Sequence, residues 1–330
     1  MRLRVCLSWL LGLVACQGPL PMPPYAAPAA PSVRPDGPLI ILGDTQRTSW
    51  PERLLLCREQ NEDPRRALIA MLAEEERPAF VIHLGDMVAV GDSADHWEYF
   101  DRLMSPLTVR GVPIVPVMGN HDYWGDDGDA RREAARRFPQ LGPSTWYAMV
   151  KGRLGLVWLD TNLGDDERQT RFFAEIMTRF EADPAIRAIL VFGHHPAYTL
   201  GVARSGDDDV RALLDAHFMP ATKAAAYFSG HVHGYERYLV AGKTFVVSGG
   251  AGGPRVSYRD PEPDEPPPAY RREGHGPLPF HYLRLRESDA HLEVEARCLP
   301  DGDDCRDGRL ERFVIPWPDQ AAVRVSSSRR

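Results

Sequence analysis

The sequence has no long run of basic residues, no internal repeat, and only five cysteines among its 330 residues. Because its formal net charge is −7 and no basic stripe is present, nucleic acid is not an expected partner. With 43% hydrophobic and 26% charged residues, the composition is that of an ordinary globular protein. The length suffices for one large domain or two small ones.

The N-terminus lacks an apolar stretch long enough to span a bilayer as a stable helix. It begins with two arginines, continues with a short apolar run, and ends in LVAC at Cys16, a pattern that predicts a secretory signal. LVAC resembles the lipobox of bacterial lipoproteins, which implies cleavage before Cys16 and lipid attachment to it. The alternative is an ordinary signal peptide with an incidental cysteine. We expect export and lipid anchoring to a bacterial membrane, in the periplasm or at the cell surface.

Composition divides the chain into four segments. Residues 1–15 are the predicted lipoprotein signal peptide, and residues 16–37 form a Pro/Ala-rich tether without periodicity. Residues 38–318 carry the predicted folded domain, and residues 319–330 form a C-terminal tail.

The cysteines of the folded domain have different expected roles. In an oxidising compartment, Cys298 and Cys305 are expected to form a disulfide across the loop LPDGDD. Cys57 stands among leucines in a predicted helix, so we expect a buried structural thiol there.

Short apolar runs alternate with amphipathic segments through most of the domain. PLIILGD, PAFVIHLGD and AIRAILVFGHH are typical of buried strands, whereas DPRRALIAMLAEEER predicts a helix that buries Leu68, Ile69 and Leu72. Antiparallel strands are then predicted at 235–240, 243–248, 280–286 and 290–297. This order predicts a mixed α/β fold in which a two-sheet β-sandwich is flanked by helices.

Polar residues recur where the predicted strands end, usually beside glycine. They are Asp44 and Gln46 in GDTQ, Asp86 in GD, Asn120, His121 and Asp122 in GNHD, His194 and His195 in GHHP, and His231 and His233 in GHVH. Strand ends gather functional sites because the rigid strands aim the side chains and glycine allows a sharp turn. The set contains carboxylates, amides and imidazoles but no thiolate. It suits zinc, manganese or iron, and it holds about enough ligands for two ions.

The ordered series D-x-Q, GD, GNHD, GHHP and GHVH resembles the calcineurin-like metallophosphoesterase family over residues 38–297. GHVHGYER and VVSGGAGGP resemble its purple acid phosphatase-like branch. The resemblance implies an αββα fold and two divalent or trivalent metal ions. It also implies hydrolysis of a small phosphorylated substrate, a monoester or a diester, by a metal-bridging hydroxide. Metallo-β-lactamases also use H-x-H, but their usual H-x-H-x-D-H is absent here.

The resemblance also implies a role for each residue. The implied ligands are Asp44, Gln46, Asp86 and His233 for one ion, and Asp86, Asn120, His194 and His231 for the other, with Asp86 bridging. His121 is expected to face the leaving group as a general acid or transition-state stabiliser, oriented by Asp122. Alternatively, His121 is a structural histidine beside the ligands. His195 is expected either to contact phosphate oxygens or to make a structural hydrogen bond.

Gln46 departs from the family pattern. Most relatives have D-x-H at this motif, and purple acid phosphatases supply a tyrosine at the position that is Ala89 here. An amide oxygen is a weaker donor than imidazole. We therefore expect a colourless or weakly coloured protein in which the ion held by Asp44, Gln46 and His233 binds more loosely.

Two other functions remain open at this point: a nucleotide pyrophosphatase-type activity of the same site, and a non-catalytic surface protein that keeps the fold. Loss of a ligand or of His121 would favour the second, and neither is lost. Some residues are either pocket-shaping or merely surface and packing residues: Tyr123, Trp124, Tyr198, Arg204 and Arg255. The histidines that match no motif are expected to be structural or solvated: His83, His96, His217, His275, His281 and His291. Residues 259–279 are predicted to form a long surface loop, which either covers the site as a lid or is a disordered excursion.

Overall fold

The computed structural model describes residues 36–48, 54–55, 57–142, 144–202, 205–270, 274–300, 305 and 307–318. The predicted signal peptide, Cys16, nearly all of the tether, Arg204 and the C-terminal tail lie outside these residues. Within the described ranges, no helix combines the length and the apolar content needed to cross a bilayer.

Twelve strands and five α-helices are described. The strands are β1 (Leu39–Leu42), β2 (Phe80–His83), β3 (Ile114–Pro116), β4 (Tyr147–Lys151), β5 (Leu154–Trp158), β6 (Ala188–Phe192), β7 (Ala224–Ser229), β8 (Tyr235–Val240), β9 (Lys243–Ser248), β10 (His281–Glu287), β11 (His291–Cys298) and β12 (Arg309–Pro316). The helices are α1 (Glu62–Ala73), α2 (Ala94–Thr108), α3 (Asp127–Arg137), α4 (Glu167–Ala182) and α5 (Asp208–His217).

The strands form two six-stranded mixed sheets. The first has the order β12-β11-β10-β1-β2-β3, with β1, β2 and β3 parallel. The second has the order β4-β5-β6-β7-β9-β8, with β5, β6, β7 and β9 parallel. The predicted two-sheet fold flanked by helices is confirmed.

Strand β1 shows why the central strands are wholly apolar. Leu39 and Ile41 belong to the core shared with the second sheet, whereas Ile40 and Leu42 belong to the core under the helices. Successive side chains of a strand point to opposite faces, so a strand covered on both faces buries every residue. The predicted helical face of α1 is confirmed, because Leu68 and its partners are buried in the second of these cores.

The cysteines meet one expectation and contradict another. Cys298 and Cys305 form the predicted disulfide, with their Cα atoms 6.0 Å apart. Cys57, in contrast, is exposed, lies outside the described helices, and has a left-handed backbone with φ of 50°. The prediction of a buried helical thiol at Cys57 was therefore wrong, because the chain turns at that residue instead of continuing a helix.

The proline-rich loop beyond Tyr258 is attached to neighbouring segments at two places. The backbone N–H of Arg259 donates to Leu200 at 2.9 Å, and that of Ala269 donates to Arg237 at 2.6 Å. Two isolated β-bridges, Gly201 with Tyr258 and Tyr238 with Pro268, add to this attachment. The loop therefore begins beside Leu200 and Gly201, and its later part, at Pro268 and Ala269, pairs with β8.

Candidate metal centre

The predicted site residues come from both sheets. Asp44, Asp86 and Asn120 lie just beyond the ends of β1, β2 and β3, whereas His194 and His231 lie just beyond β6 and β7. Because the strands within each set are parallel, their carboxyl ends meet at one edge of each sheet. The two edges together form the candidate metal centre.

One group of ligand atoms belongs to Asp44, Asp86 and His233. All three residues are buried, and one ligand atom from each lies within 4.8 Å of the others. The Nε2 of His233 is 3.4 Å from Asp44 Oδ1. The Gln46 amide nitrogen lies 3.0 Å from Asp86 Oδ2 and 3.1 Å from His233 Nε2. Its amide oxygen is buried without a hydrogen-bond partner.

A second group belongs to Asn120, His194 and His231. The Asn120 Oδ1 atom lies 3.1 Å from His194 Nε2 and 3.0 Å from His231 Nδ1. The two imidazole nitrogens are themselves 3.2 Å apart. These three potential ligand atoms therefore lie close together. Ligand atoms are similarly close around a metal ion, where metal–ligand bonds are about 2.0–2.2 Å long.

Asp86 lies between the two groups. Its Oδ2 accepts the hydrogen bond from Gln46, whereas its Oδ1 is 3.4 Å from His194 Nε2 and accepts from the backbone N–H of His121 at 2.9 Å. One carboxylate thus faces both sets of donor atoms.

Backbone carbonyls orient two of the histidines. Nδ1 of His194 donates to Leu84 O, and Nδ1 of His233 donates to Pro254 O, both at 2.8 Å. A carbonyl oxygen only accepts, so Nδ1 carries a hydrogen and Nε2 is the ring nitrogen that faces the site. Metal-binding histidines in proteins are held in this way. This orientation, together with the unpartnered Gln46 oxygen, fits a metal centre.

The backbone at the site is strained. Asp44, Asp86 and His231 have left-handed φ values of 65°, 53° and 66°. Such conformations cost of order 1–3 kcal/mol each and cluster at functional sites. Gly119 packs closely against the backbone of Asp86. A Cβ atom at position 119 would lie 2.1 Å from Asp86 N, so only glycine fits there.

Burial and neighbouring charges shift the pKa values of the buried site residues in opposite directions. Burial opposes protonation of His194, but the Asp86 and Asp44 carboxylates and the Leu84 carbonyl together outweigh it and raise the pKa of His194 to about 9. Burial opposes ionisation of Asp86, but His194 and His121 together outweigh it and hold the pKa of Asp86 far below its usual range. At Asp44, burial dominates and raises the pKa despite the neighbouring His233.

The His121 ring lies beside the candidate metal centre but belongs to neither group of potential ligand atoms. Its Nδ1 donates to Ala89 O at 3.1 Å, and its ring packs on Trp124 with 3.8 Å between ring centroids. Trp124 itself is 49% exposed, so it reaches the surface of the protein. The orienting group for His121 is therefore a carbonyl.

Asp122 was expected to orient His121, but its carboxylate has other partners. Oδ1 accepts from the backbone N–H groups of Met87 and Val88 at 2.9 and 3.1 Å, and Oδ2 accepts from Gly119 N at 2.9 Å. Three backbone donors from the loops after β2 and β3 thus surround it. Asp122 holds these two loops together, which positions Asp86 and Asn120.

Thr161, which belongs to none of the strand-end motifs, positions His195. Its hydroxyl oxygen accepts from the backbone N–H groups of His194 and His195, at 3.2 and 3.0 Å. Its own hydrogen is then available for His195 Nδ1, 2.8 Å away. A neutral His195 consequently carries its proton on Nε2. The available clue was the sequence VWLDTN, another apolar strand that ends in polar residues.

Other pocket candidates have mixed outcomes. The Tyr123 hydroxyl donates to the buried Asp160 carboxylate, and Tyr198 packs edge-on against Phe245 with 5.1 Å between centroids. Both therefore support packing. Arg255 does line a pocket beside the site.

Comparison with known families agrees with this geometry. The family model described as calcineurin-like phosphoesterase matches residues 37–235, which include every strand-end motif through His233. The chain belongs to the calcineurin-like phosphoesterase family. The family expected from the motifs, and with it the expected fold, is therefore confirmed. This family consists of hydrolases that act on phosphate esters. Membership of the purple acid phosphatase-like branch stays a prediction.

Two curated relatives of this calcineurin-like phosphoesterase are bacterial. One is a cAMP/cGMP dual specificity phosphodiesterase from Mycobacterium tuberculosis, 26% identical over 62% of this chain. The other is a probable cyclic nucleotide phosphodiesterase from Rhodopseudomonas palustris, 31% identical over 52% of this chain. In both cases the match spans 64% of the relative's own length.

Solved structures share the fold at low identity. A dimetal phosphatase from Danio rerio has a TM-score of 0.58 and 15% identity, over 86% of this chain and 99% of that one. GAP50, the anchor in the inner membrane complex of Plasmodium, also has a TM-score of 0.58, with 13% identity over 85% of this chain and 89% of that one. At these identities the likeness shows the fold alone.

Proposed function

We propose that this calcineurin-like phosphoesterase is a metal-dependent hydrolase of small phosphodiesters that uses two metal ions. The observation that carries the proposal is the position of Asp86 between two separate groups of converging donor atoms. A single tetrahedral ion would use about four ligands, whereas the site offers seven side chains.

The proposed ligands follow the two groups. They are Asp44, Gln46, Asp86 and His233 for one ion, and Asp86, Asn120, His194 and His231 for the other. Rotating the side-chain amide of Gln46 by half a turn would swap the positions of its nitrogen and oxygen atoms. The oxygen, which has no hydrogen-bond partner, would then lie beside His233 Nε2, where it could bind the same ion. When bound, two metal ions neutralise charge on a phosphoryl group and lower the pKa of water.

The remaining polar residues act on the substrate. Nδ1 of His121 is held by Ala89, so its Nε2 is the atom that exchanges a proton with the leaving oxygen. His195, with its Nε2 proton set by Thr161, donates a hydrogen bond to a phosphoryl oxygen. Asp122 holds together the loops that follow β2 and β3.

A diester is the favoured substrate because both curated relatives are named as cyclic nucleotide phosphodiesterases. The test is hydrolysis by the metal-free chain reconstituted with zinc, manganese or iron. The substrates are p-nitrophenyl phosphate, bis(p-nitrophenyl) phosphate, a cyclic nucleotide and a dinucleotide pyrophosphate. We expect metal-dependent cleavage of the diesters that a chelator abolishes and that Asp86→Ala lacks. Absence of diester cleavage with every metal would overturn the proposal, and preferential pyrophosphate cleavage would replace it.

We also propose that the protein is exported and anchored by lipid through Cys16, on the basis of the LVAC sequence. Mass spectrometry of the mature N-terminus tests this directly. An acylated Cys16 at the N-terminus is expected, and an unmodified N-terminus beyond residue 16 would contradict it.

A further inference from the structure

A pocket of about 360 Å³ opens beside the candidate metal centre, and we call it the flank pocket. His231 and His233 form its inner wall, and Cys57, Val202 and Arg255 belong to its outer wall. Among the described residues, His121 and Trp124 do not line it. The proposed proton donor therefore lies outside the flank pocket.

Arg255 gives the flank pocket a flat, rigid wall. Its Nε and terminal nitrogen donate to the Glu59 carboxylate at 3.1 and 3.0 Å, and its backbone N–H donates to the same carboxylate at 3.2 Å. The guanidinium carbon lies 4.9 Å from the centroid of the Phe280 ring. Phe280 does not appear among the described residues that line the pocket. The guanidinium is therefore held by both the Glu59 carboxylate and the Phe280 ring.

This wall suits a planar ring better than a second anion. Glu59 already neutralises the charge of Arg255, and a fixed guanidinium plane stacks on aromatic rings and nucleobases. Val202, which is 49% exposed, and the half-buried Val256 add apolar surface. The volume lies within the range of small-molecule sites, about 300–1,000 Å³.

We propose that the flank pocket binds the substituent that stays on phosphorus after a phosphodiester is hydrolysed, and that it selects a planar aromatic substituent. The inference rests on the proposed diesterase function, because a monoester has no second substituent to place there. Arg255 acts as a specificity-determining residue, and the leaving group departs on the side of His121.

Protection of Cys57 tests binding without turnover. Phenylphosphonate and methylphosphonate each carry a carbon–phosphorus bond that ester hydrolysis does not cut, and only the first carries a ring. With metal-loaded full-length protein saturated by either compound, as judged by calorimetry, iodoacetamide labelling of Cys57 is followed by mass spectrometry of its peptide. We expect phenylphosphonate to slow labelling about tenfold or more and methylphosphonate to change it by less than about twofold.

The outcomes separate this inference from the proposed function. If phenylphosphonate binds but leaves Cys57 labelling unchanged, or if both compounds slow it equally, the flank pocket does not hold the retained group. If neither compound binds the metal-loaded protein, the proposed phosphoryl site fails and the inference fails with it.

A substrate pair with one leaving group tests selectivity. Bis(p-nitrophenyl) phosphate and methyl p-nitrophenyl phosphate both release p-nitrophenolate and differ only in the retained group. We expect kcat/KM to favour the aryl diester by about tenfold, and Arg255→Lys, which loses the planar fork, to bring this ratio towards one. Arg259→Lys is the matched control, because Arg259 pairs with Glu265 outside the flank pocket. A ratio near one in the wild type, or an unchanged ratio in Arg255→Lys, would overturn the inference.

Discussion

At the scale of single residues, the proposed function divides the polar side chains of the site into metal ligands and proton-transfer residues. His194 and His233 give one ring nitrogen to a carbonyl and turn the other inward. His121 also gives Nδ1 to a carbonyl, but its ring packs on Trp124 beside the donor groups. Orientation by backbone carbonyls therefore serves both roles, and the position of the ring decides which role applies.

The separate position of the His121 ring leads to a first prediction. His121→Ala should keep the metal content of the wild type, while kcat falls by about 10²–10⁴-fold because the leaving oxygen loses its proton donor. The loss should be smaller for p-nitrophenolate than for an alkoxide leaving group, which needs a proton more. Metal analysis and steady-state kinetics on both ester types check this. An equal loss for both leaving groups would argue against the acid role.

Gln46 leads to a second prediction, on metal affinity. Gln46→His should tighten binding of the ion proposed between Asp44 and His233, because imidazole is a better donor than an amide oxygen. Gln46→Ala should weaken the same site and leave the fold intact. Calorimetric titration of the metal-free proteins, with circular dichroism as the folding control, measures both effects. Unchanged affinity of both sites in Gln46→Ala would show that Gln46 is not a ligand, and a purple protein would contradict the colour expectation.

At the scale of secondary-structure elements, apolar runs were sufficient to predict the central strands and the helical face of α1. Strand β12 was not predicted, because only Phe313 and Ile315 of its sequence RLERFVIP are buried and its first half is rich in charged residues. Strand ends likewise identified the polar residues that the structure brings together. The role of Thr161 was missed because it depends on hydrogen bonds between two loops that are distant in sequence. The partners of Asp122 are backbone groups, which sequence motifs do not reveal.

The first residue of β10 leads to a third prediction, on pH. Burial lowers the pKa of His281 to about 4, and its Nε2 is buried without a partner. Between pH 6.5 and pH 4, the unfolded chain binds a proton at this residue and the folded chain does not. Stability therefore falls as the pH falls through this window, by roughly 3 kcal/mol from this group.

His281→Phe should remove that contribution. The free energy of unfolding of metal-free protein, measured by urea denaturation at pH 7 and pH 4.5, should fall less in the variant than in the wild type. The comparison uses the change with pH, so the general cost of the substitution cancels. Identical pH dependence in the two proteins would mean that His281 is protonated in the folded state.

At the scale of the whole molecule, the candidate metal centre joins the two sheets. The first sheet supplies Asp44, Asp86 and Asn120, and the second supplies the histidines. The unfolded chain holds no such arrangement, so bound metal should stabilise the folded domain.

A fourth prediction follows from this junction. Zinc or manganese at 100 times its dissociation constant should raise the free energy of unfolding by about 2.7 kcal/mol for each site filled. Thermal and denaturant unfolding with metal and with chelator measure the shift. Asp86→Ala, which lacks the shared carboxylate, is the control and should show little or no shift. A wild-type protein that is equally stable with and without metal would contradict the assignment of the site.

The most direct measurement of the central claim is anomalous X-ray diffraction from crystals of the manganese-loaded protein. The account predicts two anomalous peaks per chain, about 3.5–4 Å apart, with the Asp86 carboxylate touching both. The Asp44 and His233 side chains should contact one peak, and the Asn120, His194 and His231 side chains should contact the other. A single peak, or two peaks without Asp86 between them, would contradict the two-metal centre on which the proposed function depends.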